Sequence, residues 1–246
     1  MKRFLKPAIL PFFTLGASVI GVALRLWLML GGTDEKGLFL AGHPAQILLW
    51  VLTALVLALL FLLTGSLSKA PKYSYNYPPS VVGAVGAGAA ALGVLLTSIR
   101  ELSAGGDLLA GICAGMGLLC TTLLAVIALA RWKGYRFNVL LHGAVCVYAM
   151  LHLVCKYRVW SSEPQLLSYC FSLFCLAALA VSVFCRAGFD ADSGSRRSLV
   201  ISHLAAVFFG LVAIPGNPDW IFYFTVSLWM LTDLCNLTPA ASNCKE

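Results

Sequence analysis

Apolar residues run along this chain in long blocks, and short polar breaks set the blocks apart. A helix needs about 20 apolar residues to cross a hydrocarbon core. By that measure the chain predicts eight spans: Ala8–Leu30, Leu38–Leu63, Ser80–Ile99, Leu108–Ala130, Asn138–Cys155, Pro164–Cys185, Ser198–Ile214 and Asp219–Asn236. The last two are short, with only Pro215-Gly216-Asn217-Pro218 between them. Two prolines in four residues read as a tight turn, with a re-entrant hairpin as the alternative. The pattern predicts an all-α, polytopic membrane bundle making one membrane domain over 1–246.

The blocks suggest a duplication. His43-Pro44-Ala45-Gln46-Ile47-Leu48-Leu49 heads the second, and Glu163-Pro164-Gln165-Leu166-Leu167 heads the sixth. Each puts proline in the first helical turn, where its missing N–H costs nothing. Asp107 and Asp219 open the fourth and eighth, each placed to meet the free N–H groups of a helix start. Arg25 and His152 fall at comparable depths in the first and fifth. These matches imply a parallel four-plus-four repeat, with halves 1–133 and 134–246.

Composition fixes the solvent. The 246 residues are 60% hydrophobic and 11% charged, against about a quarter charged in soluble domains. Mean hydropathy is +0.90. Too few polar side chains exist to cover a water-facing surface, so the lipid bilayer is the first expected partner. The first block, from Pro7 to Leu30, is long enough to span and has no clear small-x-small cleavage site, so it is expected to be retained.

The net charge of +7 points to membrane orientation and to no nucleic acid. With the N-terminus inside, twelve Lys and Arg fall on the cytoplasmic side and five on the other. Short loops obey the positive-inside rule, so both termini are expected in the cytoplasm. A plasma membrane, of the bacterial inner-membrane type, is the expected location. Lys69, Lys72, Tyr73, Tyr75 and Tyr77 lie in the longest loop and read as an interfacial aromatic belt with basic anchors, held extended by proline.

Small residues four apart line Gly83/Ala87/Ala91 and Gly111/Gly115. Such faces let helix backbones approach closely in lipid. They predict tight packing of these two spans on each other or on a neighbour, including a membrane protein partner or a second copy.

Candidate chemistry is sparse. Charges at membrane depth are costly and mark function. Arg25, Glu101, Asp107, Lys156, Glu163 and Asp219 gather towards the outer face, where they would suit a shallow polar vestibule. His142 and His203 enter from the cytoplasmic side at one depth, the arrangement a bis-histidine haem or a metal would need. Asp233 lies near a helix C-terminus, where the dipole disfavours it, so it predicts a partner among Arg131, Arg186 and Arg197. The nine cysteines contain no Cys-x-x-Cys pair and read as small apolar packing residues. No hydrolase, phosphate-loop or zinc-protease motif is present in the sequence, so neither an enzyme nor a cofactor is expected. Three readings follow: a small transporter or permease, a non-catalytic membrane subunit, or a haem or redox protein.

Overall fold

A computed structural model describes residues 9–34, 39–40, 42–67, 71–106, 108–136, 138–162 and 169–237. They form eight long helices and one short one: α1 Ile9–Gly31, α2 Pro44–Leu63, α3 Tyr73–Asn76, α4 Val81–Ser103, α5 Leu108–Lys133, α6 Val139–Trp160, α7 Cys170–Asp190, α8 Arg196–Ala213 and α9 Trp220–Cys235. Each long helix falls on one of the eight apolar blocks. Seven are long and apolar enough to cross a membrane, which is consistent with a membrane helical bundle. At 16 residues, α9 is about 24 Å long, short of the roughly 30 Å hydrocarbon core.

Consecutive helices from α4 to α9 pack side by side, and α9 returns against α4 to close a six-helix ring. Helices α1 and α2 pack on each other and on α8 from outside. This makes α8 the most enclosed helix, and its aromatic pair Phe208 and Phe209 lies in the core. The two sets of four helices are not packed alike. Helices α7 and α8 form an extensive contact that their expected counterparts α2 and α4 do not make among the described residues.

The turns follow their sequences. His43 precedes Pro44 at the start of α2, and its Nδ1 accepts a hydrogen bond from the Ala45 N–H at 3.3 Å. Between α8 and α9 the Asn217 N–H bonds the Ile214 carbonyl at 3.2 Å. Pro215 and Gly216 take the two central positions, and Gly216 has φ +70°. Proline followed by a positive-φ glycine is the requirement of a type II turn. Asp107 and Glu163 lie outside the described residues, as does Pro164.

Three expectations change. The segment expected to stay extended in an aromatic belt instead forms one turn of helix, α3, with Tyr73 and Tyr77 buried inside the bundle. Asp219 precedes α9 but makes no side-chain cap bond; nearby cations take its carboxylate. The small-residue faces also divide. Gly83, Ala87 and Ala91 are buried in α4, whereas a side chain added at Gly111 or Gly115 would meet open space. Within the chain, α5 instead packs through Cys113, Ala114 and Gly117, on another side of the helix.

The close α4–α9 approach sets a test. A Cβ at Gly86 would sit 2.9 Å from the Thr232 Cβ, inside van der Waals contact. Gly86→Val is expected to destabilise the fold by about 1–3 kcal/mol through overpacking. Gly115→Val should leave the melting temperature of the detergent-solubilised monomer nearly unchanged. Thermal unfolding of the two variants side by side checks this; equal shifts would contradict the packing described.

Candidate functional site

Polar groups enter the ring in phase with its buried stripes. Along α5 the buried residues Cys113, Gly117, Cys120, Leu124, Ile127 and Arg131 recur every three or four positions. Along α7 the stripe is Ser172, Leu176, Leu179, Val183, Arg186 and Asp190. In α9, Phe222, Val226, Met230 and Asp233 share the buried side, and buried Asp219 immediately precedes the helix. This period keeps side chains on one helix face. Each stripe is apolar in its middle and polar at one or both ends, so the ring carries two polar layers. Asp219 and Asp233 are 14 residues apart, which along a helix is roughly 21 Å.

In the Asp233 layer, five helices converge. Arg186 Nη1 lies 3.0 Å from Asp190 Oδ1, and its Nε lies 3.4 Å from Asp233 Oδ2. Arg131 Nη2 approaches Asp233 Oδ1 at 3.6 Å. His142 Nδ1 lies 2.6 Å from Asp190 Oδ2, and His203 Nε2 lies 3.3 Å from Asp233 Oδ2. All six residues are buried. Two arginines offset two carboxylates, which makes the burial tolerable. Asp233 thus has two of its three expected partners, Arg131 and Arg186.

The layer encloses a cavity of about 10 Å³ lined by Arg131, His142, Arg186, His203 and Asp233 among others. That is about the space of one water. Among the described residues, Arg131 Nε and both ring nitrogens of His203 make no well-formed hydrogen bond, so the cavity has polar walls with capacity to spare. His142 and His203 do line one space, as their shared depth suggests. Their carboxylate contacts and the size of that space do not fit a porphyrin.

The α3 turn caps this layer. The Arg186 guanidinium stacks 3.7 Å from the Tyr77 ring centroid and 5.2 Å from that of Tyr73. Burial pushes the Tyr77 phenol well above its ordinary pKa, so it stays neutral. Asp192, just past α7, holds the cap in place. Its carboxylate accepts from the Tyr73 N–H at 2.8 Å and from Arg136 Nη2 at 2.7 Å. These bonds, the backbone one first, hold its pKa below the usual carboxylate range. Asp192 sits at φ +54°, a left-handed conformation that aspartate tolerates better than most residues.

At the other end, Lys156 Nζ bridges Glu101 Oε1 at 2.8 Å and Asp219 Oδ2 at 2.9 Å. Arg100 pairs with Asp219 from the rim and donates to the Pro218 carbonyl at 2.5 Å. Asn217 accepts from the Asp219 N–H and donates to Ser172, both at 2.8 Å. Again two cations meet two carboxylates. Beneath them His152 Nδ1 lies 3.4 Å from Cys113 Sγ.

Of the six residues expected at an outer vestibule, Glu101, Lys156 and Asp219 meet. Arg25 does not join them. It is buried outside the ring, with Nε donating to the Pro215 carbonyl at 3.4 Å and its guanidinium 5.6 Å from the Phe171 centroid. Asp190, His152 and Cys113 were not legible as site residues. For Asp190 a signal existed: it continues the Val183, Arg186 spacing, one turn beyond the expected end of the span at Cys185.

No family model, curated protein or solved structure matches the chain, so function rests on the chemistry of these layers.

Two outcomes are expected. Arg186→Met leaves Asp190 and Asp233 buried without their shared cation and should cost about 3–5 kcal/mol of stability. Combined with Asp233→Asn the loss should be well below the sum of the two single losses, measured by denaturant unfolding in detergent. Asp192→Asn should lower hydrogen-exchange protection of the Tyr73 amide. In the wild type the same protection should be full above the ordinary carboxylate pKa and fall as pH drops through the depressed value, where Asp192 protonates.

Proposed function

We propose that the chain is a small permease-like membrane protein that passes a small polar solute, or a proton, through the centre of the α4–α9 ring. The two ion-pair layers act as gates at its two mouths. One observation carries this reading. Two charge-balanced layers face the same ring interior roughly 21 Å apart, inside the roughly 30 Å depth of the hydrocarbon core. Ion pairs buried this way add little to stability over well-packed apolar side chains, and intramembrane charges commonly line solute or proton pathways.

We take both termini as cytoplasmic, on the twelve-to-five bias of loop cations and the positive-inside rule, in a plasma membrane. The Asp233 layer is then the inner gate. The Glu101, Lys156 and Asp219 layer is the outer one. Breaking either set of ion pairs opens one mouth while the other stays closed. His142 and His203 touch the carboxylates of the inner gate.

A second reading has its own observation. Gly111 and Gly115 present an open small-residue face on α5 beside exposed Leu108, Ile112 and Leu119. A membrane subunit would use that face to seat a partner helix.

Proteoliposomes loaded with a pH-reporting dye, challenged with gradients of small carboxylates and of inorganic phosphate, test the first reading. Wild type is expected to move protons with at least one solute or alone, and Asp233→Asn to abolish the signal. Silence from folded wild type across the set would contradict transport. A partner helix cross-linking to residue 115 would then support the second reading.

A further inference from the structure

Beneath the Asp219 layer lies a cluster of donors that shares only Glu101 with the gate. Glu101 of α4, Cys113 of α5 and His152 of α6 bring one ligand atom each to within 4.8 Å of one another. Cys113 Sγ is 3.4 Å from His152 Nδ1, and that nitrogen is 4.0 Å from Glu101 Oε1. Cys155, on the next turn of α6, lies beside this cluster, with its Sγ 3.9 Å from the Leu109 carbonyl. The spacing on α6 accounts for this, because His152 and Cys155 are three apart on one face. His152 is fully buried between Tyr148 and Phe222, and among the described residues its Nε2 has no hydrogen-bond partner. Nothing polar therefore draws the ring away from the cluster.

We propose that Glu101, Cys113 and His152 form a binding site for zinc or a similar borderline-soft divalent cation, with the fourth position left to water. Thiolate, imidazole and carboxylate are the ligand types zinc takes, at about 2.3, 2.0 and 2.0 Å. Around a tetrahedral ion those bond lengths put sulfur and nitrogen roughly 3.5 Å apart and nitrogen and oxygen roughly 3.3 Å apart. The first separation is already present, and the second needs Glu101 to move inward by less than 1 Å. Glu101 is partly exposed at the ring mouth, which gives an ion a way in. Lys156 is shared between Glu101 and Asp219, so it can release one carboxylate and keep the other. One thiolate and one carboxylate match the ion's two positive charges. The Cys113 thiol loses its proton to solvent on binding. The site is independent of whether the ring conducts anything.

The test uses the full chain, purified in detergent under reducing conditions, stripped of metal and titrated with Co²⁺ and then Zn²⁺. One equivalent of Co²⁺ is expected to give a thiolate-to-cobalt charge-transfer band, which one equivalent of Zn²⁺ removes. Cys113→Ser and His152→Gln should each weaken binding at least tenfold, and Cys120→Ser, deeper on the same α5 stripe, should leave it unchanged. If Cys113→Ser does not fold, His152→Gln and the wild-type titration still decide. No stoichiometric thiolate band in wild type, or a band that survives both substitutions, would overturn the assignment.

Discussion

Helix α9 carries an aspartate at each end, and the pairing of those two carboxylates holds the ring together. Asp219, just before the helix, reaches Lys156 of α6 and Arg100 of α4. Asp233, in its last turn, reaches Arg131 of α5, Arg186 of α7 and His203 of α8. One short helix is thereby tied to every other member of the ring. Its length explains the need. Both carboxylates are buried, and a buried charge left unpaired is expensive, so α9 is stable only with its cations gathered round it. In lipid no hydrophobic drive brings helices together, and these ion pairs, with the close contact of Gly86 and Gly93 against Thr232 and Thr225, supply the specificity instead.

The same arrangement makes the ring interior polar at both mouths and apolar between them. Met230, Val226, Leu124, Leu176 and Leu179 fill the middle. A charge-balanced layer is stable while closed and vulnerable to any ligand or proton that takes one partner away. The Asp233 layer is sealed further by Tyr73 and Tyr77, which stack on Arg186 and hang from Asp192. The Asp219 layer is only half sealed, since Arg100 remains exposed at its rim. That asymmetry matters to the metal site, which lies under the more open mouth.

Much of the fold was legible in the sequence. Hydrophobic block length located all eight long helices, and proline and glycine located the turn before α9. The site was less legible, for physical reasons. Burial in a ring depends on which face of a helix its neighbours cover, and block length carries no information about face. Gly111 and Gly115 have the spacing of a packing motif yet turn to open space, because α5 meets its neighbours through Cys113 and Gly117. Tyr73 and Tyr77 look like interface anchors because their attraction to Arg186 joins residues more than a hundred positions apart. Cys113 and His152 look like packing residues for the same reason: their donors come from three helices. Asp233 was legible because a carboxylate near a helix C-terminus demands a cation whatever the tertiary fold.

The central claim is that α9 closes a ring against α4, and cross-linking tests it most directly. A Cβ at Gly93 would lie 3.0 Å from the Thr225 Cβ, slightly closer than the roughly 3.5–4.5 Å between Cβ atoms in a disulfide. In a background with the nine native cysteines replaced, Gly93→Cys with Thr225→Cys is expected to form an intramolecular disulfide on mild oxidation. A protease site placed in the loop between α5 and α6 would then cut the chain without separating the fragments until reductant is added. Fragments that separate without reductant, in a protein that still folds, would contradict the closed ring.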